Sequence, residues 1–174
     1  MFYGFDYLIF MLPALIIAGL ASLYTHTTFN TYSRRRAASG FTGAQAAQVL
    51  LSSQGVLDVK IEPVQGFLSD HYDPTSKTLR LSPAVYQSDS LSAIGVACHE
   101  AGHALQHAQK YAPLAIRSVL VPATQFGSWG SYIILMIGFV VGSLAFIKLG
   151  IALFSLVVIF SIVTLPVEWN ASSR

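Results

Sequence analysis

Apolar positions gather at the two ends of the chain, while the stretch between them alternates and is punctuated by turn residues. The first apolar run, about Tyr7–Leu23, contains Pro13 and Gly19 and lies at the short end of what a membrane-spanning helix needs. It is expected to be a span rather than a cleaved leader, because Asp6 precedes it and it has neither a basic start nor a clear small-residue cleavage site. Two further runs, Tyr132–Ile147 and Leu149–Leu165, are separated by Lys148 alone. As one straight helix they would extend about 50 Å, well beyond the roughly 30 Å hydrocarbon core of a bilayer. The pattern therefore predicts two spans with a tight turn at Lys148-Leu149-Gly150. Gly138, Gly142 and Ser143 would allow close packing against a neighbouring helix.

Between the runs, Tyr24–Arg36 is polar and aromatic and reads as a continuation of the first helix. Thr42-Gly43-Ala44-Gln45 has the spacing of a capping box and opens a short helix to about Ser53, with Gly55 as its stop. Leu57–Glu62 alternates like a strand, and Gly66–Tyr72 with Lys77–Leu81 reads as a hairpin around Asp73-Pro74-Thr75-Ser76. Ser82-Pro83 starts a short helical turn. Ser90 then caps a helix from Leu91 to about Gln109, whose Ile94, Ala97, Ala101, Ala104 and Leu105 form an apolar side, so it is expected to be the central helix of this region.

The expected fold class is a mainly α membrane protein. About three transmembrane helices carry a small α+β domain in the loop between the first and second. The division is residues 1–24 for the first span, 25–128 for the domain and 129–174 for a transmembrane hairpin. Composition agrees: 53% of the residues are hydrophobic and only 10% charged, against about a quarter charged in soluble domains. The net charge of +2, with no basic run interleaved with aromatics, argues against a nucleic-acid partner. The lone Cys98 excludes an internal disulfide and reads as a small packing residue. Arg34, Arg35 and Arg36 follow the first run, and Lys110 and Arg117 precede the second, so the positive-inside bias puts the domain in the cytoplasm.

His99-Glu100-Ala101-Gly102-His103 brings chemistry into the central helix. Two histidines four apart share one helix face, so both imidazoles can reach one ion. Zinc takes imidazole nitrogen readily and, when catalytic, uses three protein ligands and keeps one position open. Glu100, beside the first histidine, is then placed as a general base. His107 is a poor third ligand, since it lies about 12 Å along the helix from His99, and position 109 is Gln rather than His. Glu168 is the better candidate: two spans separate it from His103, so the chain leaves the cytoplasm and returns to the same face. A carboxylate beside Trp169 at a span end also fits an interfacial anchor. Asp58, Glu62, Asp70, Asp73 and Asp89 precede the helix and read as surface or turn residues. Ala101 and Gly102 suit a helix face crowded by metal, water and substrate.

Four blocks in order, Phe67–Ser82, Val96–His103, Tyr111–Arg117 and Leu165–Ser172, resemble the YugP-type membrane zinc metallopeptidases of bacteria. More distantly, they are similar to the HtpX type. The resemblance runs from Phe2 to Arg174. It implies a zincin-like, gluzincin-like peptidase domain in a multi-pass bacterial cell-membrane protein. On it, His99, His103 and Glu168 bind one zinc ion per chain and Glu100 is the base. Such relatives continue into a further hydrophobic segment, whereas this chain is given to Arg174. Gluzincin relatives often carry an aspartate four residues after the ligand glutamate, where it orients a ligand histidine. Ser172 stands there in this chain, and Ser172 or Asn170 would supply a weaker bond.

The expected reaction is hydrolysis of a peptide bond in a membrane-associated protein or peptide, with the lipid bilayer as the other partner. The substrate would add as a strand along the Gly66–His71 edge. His71 or Tyr72 would donate to the developing oxyanion, and a polar hairpin turn explains both residues equally well. The alternative is a non-catalytic membrane scaffold or adaptor with a structural zinc site, which would have no need of Glu100. A channel fragment would need ionisable groups inside the spans, and only Lys148 is there.

Overall fold

The computed structural model describes residues 3–66 and 69–174. Helix α1 covers Tyr3–Ser33. In its polar end the Thr25, Thr27 and Thr31 hydroxyls are satisfied within the helix, donating back to the carbonyls of Ala21, Leu23 and Thr27 at 2.8–2.9 Å. Helix α2, Gly43–Ser53, begins in the expected capping box. The Gln45 N–H donates to the Thr42 hydroxyl, and the Gln45 side chain accepts from the Thr42 N–H. Gly55, at φ +73°, turns the chain away from α2.

Strands β1 (Lys60–Pro63), β2 (His71–Asp73) and β3 (Thr78–Leu81) form a sheet in the order β1-β3-β2. β3 pairs parallel with β1 and antiparallel with β2. The hairpin is therefore present, with its first strand limited to His71–Asp73. Phe67 and Leu68, which the sequence also assigns to that strand, lie outside the described residues. The Asp73 carboxylate builds the turn, accepting from the Thr75 N–H at 2.9 Å and the Ser76 hydroxyl at 2.6 Å while pairing with Arg80 at 3.1 Å. Asp70 accepts from the Ser82 N–H and hydroxyl, pinning the start of α3 (Pro83–Tyr86).

Helix α4, Leu91–Ala108, starts where Ser90 accepts the Ala93 N–H. Ala93, Ala97, Ala101, Ala104 and Leu105 form its buried stripe. They pack with Leu79 and Leu81 of β3, Ala47 and Leu51 of α2, and Val85 of α3. The small alanines let neighbouring elements approach closely, and α4 is the centre of this core as its apolar side predicts.

Helices α5 (Ala112–Val141) and α6 (Leu144–Ser172) form a hairpin. Its turn is not at Lys148-Leu149-Gly150, which lie inside α6. The break falls at Gly142, in the left-handed conformation at φ +69°, where its own N–H and that of Ser143 satisfy the Gly138 carbonyl. A glycine can adopt this conformation without strain, and the apolar pattern does not report on it. Gly150 instead packs against Leu135 of α5. The expected second span thus divides between α5 and α6, and α5 begins at Ala112, so the boundary expected after residue 128 passes through a helix. Leu12–Ser33 of α1 and all of α6 are long and apolar enough to cross a membrane. Ala112–Pro122 and Gly127–Val141 of α5 meet that measure only together, bent by 45°.

Candidate metal centre

α4 carries His99 and His103 one turn apart, and the last turns of α6 bring Glu168 over them. Glu168 Oε2 lies 3.0 Å from His99 Nε2 and 3.5 Å from His103 Nε2. One ligand atom from each residue lies within 4.8 Å of the others. Two imidazoles and a carboxylate are the donor set that a zinc site with an open position uses, and the convergence of both Nε2 atoms on one carboxylate fits that ion.

Gly102 is what admits α6. A Cβ there would overlap the Ala171 carbonyl, so the two helix backbones meet at a point where no side chain fits. Val167 and Ala171 are buried against α4 at that contact. The small residue within the motif thus answers to helix packing, a different cause from the crowding of metal and substrate expected from the sequence.

Each histidine of the cluster has its other ring nitrogen engaged. His99 Nδ1 pairs with the Ser172 hydroxyl at 2.9 Å, the bond expected at that position. His103 Nδ1 meets Gln106 Oε1 at 3.0 Å. Asn170 bonds neither histidine; its Oδ1 accepts from Gln106 Nε2 at 3.0 Å. Arg117 of α5 pairs through Nη1 with the second carboxylate oxygen of Glu168, Oε1, at 2.9 Å. Gln106 and Arg117 were missed as site residues. The available signals were a polar residue on the buried side of α4 and an arginine within one of the four resembling blocks.

Glu100 has its carboxyl pushed up to about 7, by burial first and then by the charges of Glu168 and Asp70, against the pull of the Tyr72 N–H and Arg117. Burial pushes the His103 imidazole down. His71 is exposed and its Nδ1 lies 2.7 Å from the Ser69 carbonyl. The Tyr72 hydroxyl is bound to His107 Nδ1 at 2.8 Å, and burial, followed by the charges of Asp58 and Asp73, pushes it up to about 12. These two side chains help line a cavity of about 740 Å³ with Val59, Lys77, Tyr111 and Leu114, whose lining includes none of His99, His103 and Glu168. An open groove of about 530 Å³ does reach the centre, lined by Leu165, Glu168, Trp169, Ser172 and Ser173. Cys98 is half-buried, its thiol pushed up by burial, and lies outside the cluster.

A family model described as "Putative neutral zinc metallopeptidase" matches residues 7–174. The chain is 47% identical over 163 residues to the "Putative membrane protease YugP" of Bacillus subtilis (strain 168), covering 94% of this chain and 72% of that protein. No solved structure matches the chain.

Proposed function

The chain belongs to this family of neutral zinc metallopeptidases, and from that premise we propose that it is a membrane-embedded endopeptidase with a gluzincin-like centre. In this reading His99, His103 and Glu168 hold one zinc ion, and Glu100 is the general base. The observation that carries it is the convergence of the three ligand atoms, delivered by two helices, within 4.8 Å.

Zinc bound there supplies Lewis acidity, polarising the scissile carbonyl and acidifying water. The rest falls to the protein. Glu100, next to His99 on α4, takes a proton from water and returns it to the leaving amine. Arg117 and Ser172 keep Glu168 and His99 in place. β2 is an edge strand, so an extended substrate can pair alongside it. His71, at the start of β2, can donate to the oxyanion through Nε2 when its ring is doubly protonated, whereas the Tyr72 hydroxyl is bound to His107.

Glu168 stands near the end of α6, the most apolar of the long helices. This position favours proteins or peptides at the membrane surface as substrates. We place three spans in α1, α5 and α6, with the domain between the first two on the cytoplasmic side by the positive-inside bias.

The test is zinc per chain and peptidase activity in detergent-purified protein. The expected result is about one zinc in the wild type, its loss in Glu168→Ala, and retained zinc without activity in Glu100→Gln. Full zinc in Glu168→Ala removes that ligand. Zinc without any Glu100-dependent activity favours the scaffold. Equal cleavage of soluble and membrane-bound peptides removes the preference for membrane substrates.

A further inference from the structure

Gln106 is a wholly buried polar side chain that the proposed chemistry does not use. It lies three residues after His103, on the same face of α4. Both of its N–H donors and one lone pair of its oxygen are engaged: Nε2 donates to the Val167 carbonyl at 2.8 Å and to Asn170 Oδ1 at 3.0 Å, and Oε1 faces His103 Nδ1 at 3.0 Å.

These partners determine which way round the amide sits. The Val167 carbonyl can only accept, so Nε2 must face it. The reversed amide would press Oε1 against that carbonyl, two acceptors with no proton between them. With Nε2 facing Val167, Oε1 faces His103, and an oxygen there requires Nδ1 to carry the proton. A neutral His103 then keeps its lone pair on Nε2, the nitrogen turned toward Glu168.

We propose that Gln106 is a positioning residue that sets the metal-binding tautomer of His103 and makes it depend on the seating of α6. The bond chain runs from the Val167 carbonyl on α6, through Gln106, to His103 on α4. Val167 adjoins Glu168, so the backbone that delivers the carboxylate also orients the amide that orients the histidine. Ser172, also on α6, meets His99 Nδ1 directly and orients its ring, though its hydroxyl can donate or accept there and so does not choose the tautomer. The two histidines are thus ready to bind an ion when α6 is docked. This inference rests on the zinc reading above.

The test compares wild type, Gln106→Met and Gln106→Glu in the full chain, by zinc affinity in chelator competition. A second readout is the Nδ1–H resonance of His103 in metal-free protein with 15N-labelled histidine. In wild type the Nδ1–H tautomer is expected. Gln106→Met should lose it and weaken zinc binding by about 10-fold or more, in the range found for removal of a bond that orients a ligand histidine. Gln106→Glu keeps an oxygen for Nδ1 but sets its other oxygen against the Val167 carbonyl and Asn170 Oδ1, so it should retain the tautomer while its zinc affinity falls between wild type and Gln106→Met. Gln106→Met with wild-type affinity, or Gln106→Glu as impaired as Gln106→Met, overturns the proposal; the latter leaves Gln106 as helix-to-helix packing. If Gln106→Met does not fold, the resonances of Gln106→Glu and wild type decide. If wild type binds no zinc, the zinc reading fails, and the metal-free resonance still decides the tautomer: its absence overturns the proposal.

Discussion

Gly102 and Ala171 meet backbone to backbone where α4 crosses α6, with the Ala171 carbonyl occupying the space of a Gly102 side chain. The contact lies between His99 and His103 in sequence and one turn beyond Glu168. Gly102→Ala must therefore push α6 away, and overpacking of this kind costs about 1–3 kcal/mol. We expect a lower melting temperature together with weaker zinc binding, because the displaced helix carries Glu168. A Gly102→Ala protein with wild-type melting and zinc affinity would show that the helices do not meet this closely.

Arg117 holds the Glu168 oxygen that faces away from the histidines. Its loss frees the carboxylate to rotate and leaves its second oxygen unpaired. Arg117→Gln should lower zinc affinity by about 10-fold, as removal of partners that orient ligands does. Arg117→Lys should fall between the two, since it keeps the charge without the fork geometry of the guanidinium. Titration with a chelator of known affinity reads both. Equal affinity in all three proteins would reduce the ion pair to a surface contact.

What could be read from the sequence was local. Thr42 with Gln45, Ser90, and Asp73 with Ser76 are short-range hydrogen-bonding patterns, and the structure has α2, α4 and the β2–β3 turn at those places. Glu168 emerged from counting membrane crossings, because an even number returns the chain to the same side. The hairpin turn was misplaced because a lone lysine looks like a break, whereas the break needs a left-handed residue, and Gly142 supplies it. The parallel pairing of β1 with β3 was not visible either, since alternation marks a strand without choosing its partner. Gln106 and Arg117 have partners 61 and 51 positions away, Val167 and Glu168, and no local pattern encodes such contacts.

The Asp73 turn has a pH signature. Hydrogen bonds from Ser76 and Arg80 hold this carboxyl well below the usual carboxylate range in the folded protein. A folded-state value depressed below the unfolded one contributes stability above the unfolded value, about 3.9 for aspartate, and loses it as pH falls through the folded one. Asp73→Asn should therefore melt below wild type by a constant margin at pH 6–8, and the margin should shrink below about pH 4. A margin independent of pH across that range would assign the effect to turn geometry rather than to the charge.

The oxyanion donor can be separated from the hairpin scaffold by two substitutions. The Tyr72 hydroxyl is half-buried and bound to His107, so Tyr72→Phe leaves that imidazole nitrogen short of a partner and should cost about 1 kcal/mol of stability. It should leave kcat unchanged, since the hydroxyl is already committed. His71 is exposed and its Nδ1 is turned to the Ser69 carbonyl, which can only accept. That bond places the proton of the neutral ring on Nδ1, so Nε2 can donate to an oxyanion only when the ring is doubly protonated. His71→Ala should then lower kcat by about 10²-fold with little change in melting temperature, the size seen when one oxyanion donor is removed. The opposite pattern, loss of kcat in Tyr72→Phe alone, would move the role to Tyr72 and require substrate binding to break its bond with His107.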